Sequence, residues 1–179
     1  MKLPEQLPPG TVLLVRHARA EGQAPDAALT PDGETAAQNL ARALAHLPLT
    51  RIVSSPWRRA VQTAQPLAER LTLTIHTDER LTERVLTGQP VGWWRASLRW
   101  SFRVPALRFP GGESGRRARA RSLAALADAR DPSGVTVVVT HGNLMALALG
   151  LTYAEWAALT NPDVRVWSTL TSPQSGRRK

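Results

Sequence analysis

Cysteine is absent from the 179 residues, which excludes disulfides, thiolate metal sites and thiol catalysis and fits a reducing compartment. Lysine occurs only at Lys2 and Lys179, so arginine carries the formal net charge of +9. The N-terminal stretch MKLPEQLPPG lacks an apolar signal core, and no run approaches the roughly 20 apolar residues of a membrane span. These absences point to a cytoplasmic protein with no membrane partner. The basic balance favours anionic ligands, from phosphorylated metabolites to nucleic acid, and a biased genome composition accounts equally well for a chain this rich in Arg and Ala.

What is present suffices for one domain over residues 1–179: 42% of the residues are apolar, enough to bury a core at this size. Its core is expected over about 11–168, and the polar, charged tail over 169–179 reads as disordered. Short β-branched runs alternate with Ala/Leu-rich helical stretches, the pattern of an α/β domain with a mainly parallel sheet. Thr11–Arg16 reads as the first strand, TRIVSS as the second, LTLTIHT as the third, GVTVVVT as the fourth and DVRVW as a last one. Helices are expected in LTPDGETAAQNLARALAHL, with Pro31 and Asp32 at its start, in PWRRAVQTAQPLAERL, where Pro66 should kink or break it, in ESGRRARARSLAALADAR and in GNLMALALGL.

The charged groups sit at strand ends. In open parallel α/β sheets the ligand crevice lies beyond the carboxyl ends of the strands. Arg16 and His17 follow TVLLV, Ser54, Ser55, Arg58 and Arg59 follow RIV, and His141 and Gly142 follow VTVVVT. Singly, each has an ordinary explanation: a surface dipeptide, a solvated helix start, a capping or core histidine. Together they bring two histidines and several arginines to one sheet edge. Guanidinium groups repel a metal ion but match phosphate oxygens bidentately, so the cluster is expected to bind a phosphoryl group with no metal or cofactor. Neighbouring cations lower a histidine's pKa and leave a neutral ring nitrogen free to attack phosphorus. The arginines and a second histidine would hold the oxygens on which charge accumulates.

The segments resemble the histidine phosphatase superfamily, the group that includes cofactor-dependent phosphoglycerate mutase. LLVRHARAEG is similar to the family's RHG or RHA motif, which implies that Arg16 is a phosphate ligand and His17 the phosphorylated histidine. VSSPWRRAVQTA is close to its S-S-x-L-x-R-A-x-Q-T-A segment, which makes Arg59 a phosphate ligand and leaves Arg58 facing solvent. DERLTERVLTG resembles the segment that supplies the proton donor, pointing to Glu83. PGGES with Arg121 matches the start of the next family helix, and VVVTHGNLMALALGL the segment of the second catalytic histidine, His141. Where members carry Ser or Thr and then Asn to contact phosphate, this chain has Ala20 and Gln23, so Gln23 enters the candidate substrate ligands beside Gly142. The resemblance implies a three-layer α/β/α sandwich and a metal-independent phosphatase acting on a small phosphorylated molecule or a phosphoprotein. A mutase is the alternative of the same class, and a non-catalytic phospholigand- or nucleic-acid-binding module that of another; no nucleic-acid partner is expected.

Between the acid and the second histidine, GWWRASLRWSFRVPALRF places Arg95, Arg99 and Arg103 at four-residue spacing beside Trp94, Leu98 and Phe102. On a helix these make a basic and an apolar stripe. Three readings fit: an amphipathic helix packed on the sheet, a substrate lid with a second anion site, or a membrane or nucleic-acid surface.

Overall fold

The computed structural model describes residues 7–88 and 92–167, so the disorder expected over 169–179 lies outside the described residues. Five strands form one sheet in the order β3-β2-β4-β1-β5: β1 (Val12–Arg16), β2 (Leu49–Ser54), β3 (Ile75–Thr77), β4 (Val135–Thr140) and β5 (Asp163–Trp167). β1, β2, β3 and β4 run parallel, and β5 pairs antiparallel with β1 at the edge.

Alternation along the strands creates the layers. Leu13, Val15, Ile52, Val137 and Val139 face a core shared with α1 (Pro31–Leu44) and α2 (Arg58–Leu71). Val12, Leu14, Val53 and Val138 face a second core with α4 (Gly115–Ala129) and α5 (Gly142–Leu149). The result is the expected α/β/α sandwich, with β4, buried at every position, at its centre.

Local chemistry sets the helix boundaries. α1 starts at Pro31, with the Thr30 hydroxyl accepting the Gly33 N–H. Gly33 is required there, because a Cβ would lie 2.0 Å from the Arg19 carbonyl oxygen of the loop that leaves β1. α2 continues through Pro66, so the break that the sequence allows does not occur. Thr63, Ala64, Leu67 and Ala68 on both sides of the proline are buried against the same core, and that shared burial offsets a cost of about 3 kcal/mol for an interior proline. The third strand is shorter than expected, since Leu71 closes α2 and Thr72 adopts φ 57° to cap it, which leaves only Ile75–Thr77.

Two elements lie outside the expected pattern, a 3₁₀ turn at Glu79–Leu81 and α6 (Tyr153–Ala157), which opens with a capping box between Thr152 and Glu155. The basic aromatic segment does form a helix, α3 (Trp94–Arg103). Its buried face is Ser97, Leu98 and Ser101, with Phe102 packed against Tyr153 and Trp156. Trp94, expected in the apolar stripe, is exposed, as are Trp93 and Trp100. No helix among the described residues is long and apolar enough to cross a membrane.

Candidate active site

The sheet order explains why three motifs meet. β4 lies between β2 and β1, and the backbone continues the pairing beyond the strands: the His17 N–H donates to Thr140 O at 2.9 Å and the Ser55 N–H to Val139 O at 2.9 Å. His17, Ser55 and His141 therefore emerge side by side at the carboxyl edge. The rings of His17 and His141 are 5.1 Å apart, edge to face.

His17 is held by two directed contacts. Its Nδ1 lies 2.6 Å from the carbonyl oxygen of Ala18, which can only accept, so Nδ1 carries the proton and Nε2 the lone pair. Arg59 Nε donates to that Nε2 at 3.1 Å. Burial, reinforced by the charges of Arg59 and Arg16 and opposed by the Ala18 hydrogen bond, pushes the imidazole pKa down to about 4. The histidine is thus neutral at pH 7 with an unprotonated nitrogen facing the arginines. Burial, more than the neighbouring cations expected from the sequence, is the larger cause.

Arg59 is 1% exposed and enters from the first turn of α2. Its Nη1 donates to the carbonyl oxygens of Gln23 at 3.3 Å and Ala24 at 2.8 Å, and its guanidinium lies 4.5 Å from the Trp57 ring. Gln23 thus meets the site through its backbone carbonyl, and the residue is exposed. Arg58 is exposed, as expected. Arg16 donates from Nη1 to Leu159 O at 2.8 Å, whereas its buried Nε has no partner. Gly142, the first residue of α5, makes room for it: a Cβ there would stand 2.9 Å from Arg16 Nε.

Glu83 follows the 3₁₀ turn. One carboxylate oxygen accepts the N–H groups of Arg84 at 2.8 Å and Leu144 at 3.1 Å, and the other that of Asn143 at 3.1 Å. Burial raises its pKa against the pull of these donors and of Arg59. The acid is framed by Arg121, whose Nη1 donates to the carbonyl oxygens of Arg80 and Thr82, and which pairs with Glu113. Arg121 secures the loop that carries Glu83.

His141 is fully buried. Its Nε2 is 2.8 Å from Ser55 Oγ, its Nδ1 has no partner, and the Trp57 ring lies 4.8 Å away, edge to face. Desolvation first, then the neighbouring His17, Arg59, Arg121 and Arg16, holds its pKa well below the ordinary histidine value.

Six of the seven candidates therefore converge, Arg16, His17, Arg59, Glu83, His141 and Gly142, whereas Gln23 reaches Arg59 only through its backbone carbonyl. Sequence reasoning missed Trp57 against Arg59, the Leu159 carbonyl that anchors Arg16, and Asn161, whose Nδ2 donates to His17 O at 3.0 Å. The Asn-Pro dipeptide at Asn161–Pro162, joined by a cis bond, was the one local signal of a tight turn there. Among the described residues, no three His, Asp or Glu side chains gather as a metal site. The buried, unpartnered Nε–H of Arg16 and the guanidinium forks of Arg16 and Arg59 suit an anion instead.

The chain matches the model of the histidine phosphatase superfamily (branch 1) over residues 12–171. It is 34% identical to a glucosyl-3-phosphoglycerate phosphatase of Mycobacterium tuberculosis, over 86% of this chain and 78% of the relative. Identity is also 34% to a probable phosphoglycerate mutase of an Enterobacter species, over 80% of this chain and 77% of the relative. The native structure of a mycobacterial glucosyl-3-phosphoglycerate phosphatase is similar with a TM-score of 0.65 and 29% identity, covering 83% of this chain and 84% of that one.

Proposed function

The chain belongs to the histidine phosphatase superfamily, and from that premise we propose that it hydrolyses phosphomonoesters through a phosphohistidine on His17, without a metal ion. The observation that carries the proposal is the orientation of His17: with Nδ1–H given to Ala18 O, the Nε2 lone pair faces Arg59.

A phosphate dianion entering this space competes with His17 for the Arg59 guanidinium, since a charged acceptor is the stronger one. Arg16, Arg59 and His141 hold the equatorial oxygens, and Nε2 of His17 attacks phosphorus in line with the ester oxygen. As the P–O bond breaks, Glu83 gives its proton to the departing alkoxide. Its raised pKa supports this role, and the charge of the bound phosphate raises it further. The resulting carboxylate then takes a proton from a water that attacks the phosphohistidine. Cleavage of the N–P bond restores the His17 lone pair and the Glu83 proton and releases inorganic phosphate.

The substrate is a small phosphorylated molecule, and the activity of the mycobacterial relative supports an organic phosphate with a second negative group. Arg95, Arg99 and Arg103 are candidates to receive that group: they are exposed on α3 with no ion pair among the described residues. The Arg84 guanidinium links α3 to the acid's loop by donating to Ser101 Oγ at 2.8 Å. The place of action is proposed to be the cytoplasm, in keeping with a chain without cysteine.

A screen of phosphomonoesters in excess EDTA tests this reading. Hydrolysis should persist, and vanadate should inhibit it by occupying the same cradle as five-coordinate phosphorus. Loss of activity on chelation, restored by a divalent ion, would overturn it.

A further inference from the structure

We propose that Ser55 is a positioning residue: its hydroxyl donates to Nε2 of His141, which fixes the proton of that histidine on Nδ1 and makes Nδ1–H the donor offered to the phosphoryl group. Ser55 and His141 are both fully buried, and their Oγ and Nε2 are 2.8 Å apart. The N–H of Trp57 also points at Ser55 Oγ, at 3.3 Å.

A hydroxyl has one proton and two acceptor sites. If Nε2 carried the histidine proton, Ser55 Oγ would accept from both Nε2–H and the Trp57 N–H. Its own proton would then have no acceptor among the described residues, and Nδ1 would be a buried lone pair with no donor. Leaving a buried hydroxyl unsatisfied incurs the desolvation cost of that group. In the other tautomer every group of the serine is used: Trp57 N–H donates to Oγ, the Ser55 O–H donates to Nε2, and the one unpaired atom is Nδ1–H. An unpaired donor beside two guanidinium groups suits an incoming anion, whereas an unpaired lone pair would repel it.

Burial first, then His17, Arg59, Arg121 and Arg16 around it, disfavours the imidazolium form, and among the described residues no carboxylate pairs with the ring. Ser55 accordingly also fixes how His141 binds: as a neutral directional donor. The ring centroids of His17 and His141 are 5.1 Å apart, so a phosphoryl group on His17 would lie beside the His141 ring.

The use of the donor rests on the phosphohistidine reading; the tautomer does not, so the two are tested apart. In the full chain labelled with ¹⁵N-histidine at pH 7, long-range ¹H–¹⁵N spectra should show His141 with Nδ1 protonated and Nε2 bare. Observation of the Nε2–H form or of an imidazolium overturns the proposal whatever the activity. In Ser55→Ala the Nδ1–H signature should be lost or mixed with the other tautomer, and kcat/KM for a phosphomonoester should fall at least tenfold. Ser55→Thr keeps the hydroxyl and should restore the signature and most of the turnover. A Ser55→Ala protein with the wild-type tautomer, or with wild-type turnover, contradicts the positioning role.

Discussion

Arg59 Nε stands 3.1 Å from Nε2 of His17 and donates its proton to the nitrogen proposed to attack phosphorus. The contact holds the imidazole in place, keeps its lone pair pointed at the cation that will hold the phosphate, and adds to the burial that keeps the ring neutral. A guanidinium leaves an imidazole readily for a phosphate dianion, because the neutral nitrogen offers one lone pair whereas the dianion offers opposite charge and two oxygens to the planar fork. Substrate binding therefore uncovers the nucleophile.

Stability should record the buried neutral histidines. Folded His17 binds its proton only near pH 4, whereas the unfolded chain binds one near pH 6.5. Between these values the unfolded state holds more protons, so stability is complete above about pH 6.5 and is lost as the pH falls toward 4. His17 alone contributes up to about 3 kcal/mol to this slope, and His141, shifted the same way, adds to it. Urea denaturation from pH 7 to pH 4 should show the decline, with a shallower slope in His17→Ala. Equal slopes in the two proteins would contradict the His17 assignment.

Gly142→Ala separates the site from the fold. A methyl group there meets Arg16 Nε at 2.9 Å and must push the guanidinium aside, while alanine favours a helix over glycine by about 1 kcal/mol. The variant should lose at least tenfold in kcat/KM with an unchanged or raised melting temperature. Full activity would mean that Arg16 does not need its observed position.

The α3 arginines can be tested by charge. If Arg95, Arg99 and Arg103 grip a second anion, replacing all three with Gln lowers kcat/KM more than tenfold for a substrate carrying a carboxylate beyond its phosphate, which corresponds to about 1.4 kcal/mol. Hydrolysis of p-nitrophenyl phosphate should change little. Equal losses on both substrates would assign the helix to structure, and no loss on either would leave it a solvated face.

Much of this arrangement could be read directly from the chain. β1 is an apolar run closed by Arg16, β2 ends in the apolar pair Ile52 and Val53 before Ser54, and β4 is β-branched throughout; His17, Ser55 and His141 follow them directly, so one rule about strand ends collects the site. Glu83 was visible through a family segment alone, because its partners are the backbone amides of Asn143 and Leu144, sixty or so residues away, and amides leave no mark in a sequence. The role of Ser55 is hidden for a similar reason: whether a serine donates to a histidine depends on which other donor reaches its oxygen. Pro66 misled because a local preference yielded to burial on both sides of it, and α6 was missed because five residues are too few for a period to show.

The central claim is that His17 carries the phosphoryl group, and rapid-quench trapping with a phosphorylated substrate tests it most directly. The wild-type chain should yield an acid-labile, base-stable phosphate on the peptide that contains His17. Glu83→Gln should alter the adduct's level with poor leaving groups by slowing its formation or its hydrolysis, and His17→Ala should show neither adduct nor turnover. Turnover at the wild-type rate by His17→Ala, or an adduct on another residue, would contradict the account.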